Sequence, residues 1–116
     1  MKRTQRQYLE DMLAALTHAE GFLQGMRFEA LEADLRTQYA LERAFTIIGE
    51  AAKKIEEPLR GQHPDVPWKA IAGMRDVLVH GYWAVNLEVV WKTVHEDFPG
   101  LRSQIQRVLA ALSEAE

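Results

Sequence analysis

The segment Leu41-Glu42-Arg43-Ala44-Phe45-Thr46-Ile47-Ile48-Gly49-Glu50-Ala51-Ala52-Lys53-Lys54-Ile55 decides the fold. Leu41, Phe45, Ile48, Ala52, Ile55 and, just beyond, Leu59 recur at steps of 4, 3, 4, 3, 4. That is the spacing of one face of an α-helix; a half-buried strand would alternate with period two. Ala44, Ile47 and Ala51 widen the stripe, and Arg43, Glu50, Lys53, Lys54 and Glu57 fall mostly on the other side. The helix therefore turns one face to a core and the other to water. Gly49 interrupts good helix formers, which points to a close helix–helix approach, within the chain or across a dimer. Glu50, Lys53 and Lys54 read first as a solvated face. The second reading gives Lys53 or Lys54 a part in holding phosphate.

Upstream, Tyr8, Met12, Ala15, Ala19, Phe22 and Met26 show the same stepping, flanked by Leu9, Leu13, Leu16 and Leu23. Gly21 and Gly25 weaken the end of that helix, so a turn is expected near residues 25–28. Downstream, Pro58 to Pro67 reads as a loop. A third helix is expected from Trp68 to His80, with Pro67 in its first turn and Gly81 ending it. Asn86 is expected to cap a fourth helix whose buried side is Leu87, Val90 and Val94. Pro99 is expected to kink or break it. A last amphipathic stretch carries Leu101, Ile105, Val108 and Leu112. No segment alternates with period two for long enough to suggest a strand. The expectation is an all-α, up-down bundle of four to five helices, one domain over residues 1–116.

Composition narrows the function. The chain has no cysteine, which excludes a disulfide framework and a thiolate zinc site and fits a reducing, cytoplasmic setting. His18, His63 and His95 show no metal-ligand spacing, so neither a metal nor a cofactor is expected. The basic start is not followed by an apolar h-region, and no run of about 18 apolar residues occurs, so no membrane association is expected. The formal net charge of −3 argues against a passive nucleic-acid coat but is compatible with a local basic patch.

The chemistry gathers in Met74-Arg75-Asp76-Val77-Leu78-Val79-His80-Gly81-Tyr82. Trp68, Ile71, Met74 and Leu78 are accounted for as core; Arg75, Asp76, His80 and Tyr82 are not. On a continuous helix Asp76 and His80 are neighbours. The carboxylate and the helix C-terminus would both favour a protonated imidazole, a suitable state for proton transfer near neutrality. Arg75 and His80, five apart, would be separated by roughly 140° on an ideal helix. Either the helix distorts at its end, or a symmetric dimer brings two copies together. The second is preferred, because a groove with an Arg and a His from each chain suits a phosphodiester backbone. Trp83 and Trp91 read as core or dimer-interface residues rather than base-stacking platforms.

The pattern of Arg75, four residues, His80, one residue, Tyr82 resembles the signature of the HepT toxins, a branch of the HEPN helical ribonucleases. Ile48-Gly49-Glu50-Ala51-Ala52-Lys53-Lys54, the approach from Pro64 to Arg75 and the stretch Asn86-Leu87-Glu88-Val89-Val90-Trp91 are similar to the family's surroundings of that motif. The resemblance implies a HEPN-like bundle and a homodimeric, metal-independent endoribonuclease cutting tRNA or mRNA. It further implies the toxin of a type VII-like toxin–antitoxin system. Arg75 and His80 map onto the catalytic pair, and Asp76 stands as a supporting residue where Asn is common. Tyr82 maps onto the tyrosine to which a small MntA-like nucleotidyltransferase antitoxin adds AMP. Gly81 stands where a larger, often acidic residue is common. On this resemblance His80 serves as general base or acid and Arg75 stabilises phosphorane charge, leaving a 2′,3′-cyclic phosphate. The alternative from a different class is a non-catalytic HEPN-type subunit that partners a nucleotidyltransferase and uses the same residues to bind phosphate. A purely structural helical dimer is a third.

Overall fold

The computed structural model describes residues 2–76 and 83–115. Helix α1 (Gln5–Leu23) opens on a capping box. Thr4 Oγ1 accepts from the Gln7 N–H at 3.1 Å, and Gln7 Oε1 accepts from the Thr4 N–H at 2.9 Å. Two N–H groups that the helix leaves without partners are thereby satisfied. Leu9, Met12, Ala15, Leu16, Ala19 and Leu23 are buried, whereas Phe22 is 41% exposed. The centre of the buried face thus lies between the expected stripe and its flanking leucines. Gly25, at φ +74°, makes the left-handed turn that residues 25–28 were expected to make.

After the short α2 (Phe28–Glu32), helix α3 (Leu35–Lys53) starts at Asp34. The Asp34 carboxylate accepts from the Thr37 hydroxyl at 2.7 Å and from its N–H at 3.2 Å. These bonds favour the charged form and hold the carboxyl below its ordinary range. Leu41, Phe45, Ile48 and Ala52 are buried, as the stripe requires. The helix stops earlier than the stripe does. Ile55 is buried past its end, and Leu59 belongs to a separate one-turn helix, α4 (Leu59–Gln62). Arg60 folds back and donates to Ile55 O at 2.7 Å and to Ala52 O at 2.9 Å. A side chain therefore satisfies the terminal carbonyls in place of a further helical turn, and Pro58 has no N–H with which to continue.

Helix α5 (Trp68–Ala72) is much shorter than the expected Trp68-to-His80 helix. The N–H of Met74 bonds Ile71 O at 3.0 Å and that of Asp76 bonds Gly73 O at 3.0 Å. These three-residue closures tighten the chain out of the α ladder and into turns. Trp68 and Ile71 are buried as expected, and Met74 packs against the core from a half-buried position. The readings made for Val77, Leu78, His80, Gly81 and Tyr82, and for the side chain of Trp83, lie outside the described residues.

Two expectations about the last third are corrected. Helix α6 (Trp83–Lys92) begins before Asn86, which occupies an interior position instead of the cap. Burial of Leu87 and Val90 holds this stretch, as is usual where packing outweighs local preference. Pro99 does not break the rod. The chain passes from α6 through a π-helical segment, Thr93–Asp97, into α7 (Phe98–Ala115), with helical dihedrals at both Lys92 and Phe98. The Phe98 N–H reaches back five residues to Thr93 O. The wider turn relieves the clash between the proline ring and the carbonyl four residues earlier that would bend an α-helix.

The directions follow from side-chain ties. Gln5 meets Lys54 and Glu56, so α1 and α3 are antiparallel. Arg6 meets Ser113 and Glu20 meets Arg102, so α7 also runs against α1. The chain from Asp65, bonded by Gln104, to Met74, beside Gly100, climbs against α7. The result is the expected up-down-up-down arrangement of an all-α, HEPN-like bundle, with no strand among the described residues. Its core includes Met12, Leu16, Ile48, Ile105 and the tilted ring pair of Phe45 and Phe98, 5.3 Å apart. Each such side chain contributes about 1.5–3 kcal/mol through burial.

Candidate functional site

Arg75 is placed by the backbone of α3. A Cβ built on Gly49 would stand 3.2 Å from Ala72 O, 3.3 Å from Arg75 N and 3.5 Å from Arg75 Cβ. The turn after α5 therefore rests directly on the bare backbone of Gly49. The close approach inferred from this glycine exists, and it lies within the chain. From this seat the Arg75 guanidinium extends to Glu50, with Nη1 at 4.0 Å from Oε2. Both side chains are solvent-accessible, Arg75 at 37% and Glu50 at 53%. The ion pair is long and exposed, so it orients the arginine weakly and leaves it free to meet a stronger anion.

Sequence reasoning assigned Glu50 to a solvated face and missed this contact. The signal was present: Glu50 follows the glycine that marks the close approach, so its side chain emerges at the edge of whatever packs there. Lys53 and Lys54, three and four residues further along, are exposed at the same end of α3. Asp76 is exposed directly after the turn. The structure thus brings Arg75 and Glu50 together, with Lys53 and Lys54 following on α3. His80 and Tyr82 lie outside the described residues.

The α5 boundary changes the geometry of the motif. The 140° separation of Arg75 from His80 assumed an uninterrupted α-helix from Trp68. Arg75 instead stands in a turn, where the azimuth per residue is not the α value. Its direction is set by Gly49 and Glu50, not by helical phase.

A second feature shares no lining residue with the Arg75 turn. An open cavity of about 700 Å³ lies between the end of α1 and the π-helical segment. The part-buried Arg102–Glu20 pair, at 2.7 Å, sits in its wall. His95 also lines it; its Nδ1 is 2.9 Å from Trp91 O, and its ring stands 4.2 Å from the Trp91 ring. Trp91 packs half-buried between His95 and Phe28, consistent with the core reading. Among the described residues no three His, Asp or Glu side chains gather as metal ligands, and no helix is long and apolar enough to cross a membrane.

Comparison with known proteins agrees with this architecture. Residues 12–108 match the family model described as ribonuclease HepT-like. A Thermococcus cleftensis protein named "Probable ribonuclease HepT" is 43% identical over 108 residues, which cover 93% of this chain and 98% of the relative. A Caldanaerobacter subterraneus protein named as a "Putative RNase" is 38% identical, over 92% of this chain and 96% of the relative. A Methanocaldococcus jannaschii protein, also named as a "Putative RNase", is 33% identical over 97% of each chain. No solved structure matches. A match that runs through α3, the Arg75 turn and the π-containing rod has one meaning: the chain belongs to the HepT-like ribonuclease family.

Proposed function

We propose that this protein is a metal-independent endoribonuclease and the toxin of a type VII-like toxin–antitoxin system, with Arg75 and His80 as its catalytic residues. The observation that carries the reading is the seating of Arg75. Its backbone is held on Gly49, and its permanently charged, planar donor group reaches solvent beside a weak and displaceable partner, Glu50. The relatives carry the names of probable or putative RNases, which supports RNA as the substrate.

In this reading His80 removes the proton of a ribose 2′-hydroxyl. The 2′-oxygen attacks the adjacent phosphorus, the bond to the 5′-oxygen breaks, and that oxygen takes a proton from the protonated His80 of the second copy. A 2′,3′-cyclic phosphate and a 5′-hydroxyl result. Arg75 leaves Glu50 and donates to the non-bridging oxygens as charge develops on them. Asp76 supports the orientation of His80. A homodimer supplies a second copy of the segment across the groove. AMP chains added to Tyr82 by an MntA-like nucleotidyltransferase place negative charge at the rim and repel RNA.

The test is cleavage of tRNA and mRNA by purified protein in the presence of a chelator. Arg75→Ala and His80→Ala are each expected to lower the rate by about 10²–10³-fold with unchanged thermal melts, and the wild-type products should carry cyclic phosphate ends. A His80→Ala protein that cuts at the wild-type rate sinks the mechanism. Intact mass after co-expression with the nucleotidyltransferase should rise in AMP steps for wild type and not for Tyr82→Phe.

A further inference from the structure

The first residues of the chain and the end of α3 build one basic cleft. Gln5 clamps the two together: its Nε2 donates to Lys54 O at 2.8 Å, and its Oε1 accepts from the Glu56 N–H at 2.8 Å. The capping box then fixes the direction in which residues 2 and 3 leave α1. Two adjoining hollows, of about 200 and 450 Å³, share Arg3, Tyr8 and Lys54 in their walls. Glu50, the neighbour of Arg75, and Asp11 line the first; Lys2, Lys53 and Glu56 line the second.

Lys2, Arg3, Lys53 and Lys54 are all exposed. Arg3 lies 5.8 Å from the centre of the Tyr8 ring and is held by Asp11 at 2.6 Å. Among the described residues, Lys2, Lys53 and Lys54 have no carboxylate within ion-pair distance. The carboxylates of Asp11, Glu50 and Glu56 line the same hollows, yet Lys2, Lys53 and Lys54 stand outside any ion pair among the described residues on a chain of net charge −3, and their gathering points outward, to an anion. A row of cations with an aromatic ring in its floor suits a single nucleic-acid strand, whose phosphates meet the cations and whose bases have a π-face to stack.

We infer that this cleft is a backbone track for single-stranded RNA, in which Lys2, Arg3, Lys53 and Lys54 hold the phosphates next to the one cleaved at Arg75 and Tyr8 offers a stacking surface. The inference rests on the ribonuclease reading for the direction of the strand, since Glu50 joins the cleft to Arg75. Arg3 exchanges Asp11 for a phosphate, an exposed pair being a weak competitor. The four cations are binding groups and take no part in proton transfer.

The experiment uses the full chain and a fluorescent 2′-O-methyl oligoribonucleotide, which has no 2′-hydroxyl to react, so binding is read independently of cleavage. Affinity is measured by anisotropy against salt for wild type, for Lys2→Ala, Lys53→Ala and Lys54→Ala singly and together, and for Lys92→Ala as a control that matches each single variant in charge but lies elsewhere. Three lost phosphate contacts reduce the slope of log affinity against log salt by about 2, taking roughly 0.7 per contact for a single strand. Binding at low salt should weaken at least tenfold, and with cleavable RNA KM should rise while kcat holds. Lys92→Ala should behave as wild type. A triple variant with the wild-type slope and KM overturns the track and leaves the ribonuclease reading standing. Wild-type protein that fails to bind the probe also overturns it. Protein that binds with the expected slopes but cuts no RNA supports the track and removes the ribonuclease reading instead.

Discussion

The chain leaves the α-helical ladder in two places, in opposite senses. After Ala72 it tightens: i to i+3 bonds carry it through Gly73, Met74 and Arg75. At Thr93–Asp97 it widens, and the Phe98 N–H reaches five residues back. Tightening ends the helix and delivers a charged side chain to the surface at a point fixed by a neighbouring backbone. Widening does the reverse, letting helical structure continue through a proline. The first departure depends on a long-range contact, Gly49 beneath Arg75. The second is closed by a bond between residues five apart in sequence. A defect held in place by tertiary packing is the one expected to be sensitive to substitution.

That contrast can be broken most sharply at Gly49. A Gly49→Val side chain enters a gap already closed by Ala72 O and Arg75 N, and backbone atoms cannot step aside as a flexible side chain would. We expect a loss of about 1–3 kcal/mol in urea unfolding, the usual range for overpacking, together with loss of RNA cleavage as Arg75 is pushed from its seat. Unchanged stability and activity would mean that the turn does not depend on α3. Pro99→Ala should have a smaller effect. The new N–H lets the widened turn relax toward an α ladder, while the unfolded chain gains freedom; these oppose each other, so the net change should stay within about 1 kcal/mol, with cleavage unaltered. A loss as large as that of Gly49→Val would show that the π segment, too, is fixed by tertiary packing. The smallest effect is expected at an ordinary helix start. Asp34 is a half-buried cap whose carboxyl is held below its unperturbed value of 3.8 by hydrogen bonds from Thr37. A depressed pKa contributes stability above the unfolded value and loses it as pH falls through the folded one. Asp34→Ala should therefore lower Tm slightly at pH 7, and the gap to wild type should close on acidification below 3.8. A gap that persists at lower pH would assign the cap's effect to something other than its charge.

Much of the bundle is legible in hydrophobic spacing because burial repeats with the helix. Leu41, Phe45, Ile48 and Ala52, and later Leu101, Ile105 and Val108, stand where their spacing puts them. Spacing says less about where a helix stops. Ile55 continues the stripe of α3 in sequence and is buried in space, yet the helix has already ended, because Arg60 takes over its carbonyls. Nothing local to residues 52–55 announces an arginine arriving from the next element. The α5 boundary was hidden for a similar reason: residues 73–75 read as helical until Gly49 is known to lie beneath them. The candidate site was half legible. Arg75 stood out by residue type, Gly49 by interrupting good helix formers, and Lys53 and Lys54 by charge. Glu50 and the N-terminal pair Lys2 and Arg3 were not found, since their significance lies in which surfaces meet.

The rod from Trp83 to Ala115 has a further consequence. Its buried positions Leu87, Val90, Val94, Phe98, Leu101, Ile105 and Val108 are spaced 3, 4, 4, 3, 4, 3. The two consecutive fours fall across the π segment, where each turn holds more residues. Across all six steps the spacing still averages about the repeat of an α-helical face, so the inner faces of α6 and α7 remain in phase through the π segment. Two helices with a wide turn between them thus present the bundle with a single continuous wall from Leu87 to Val108.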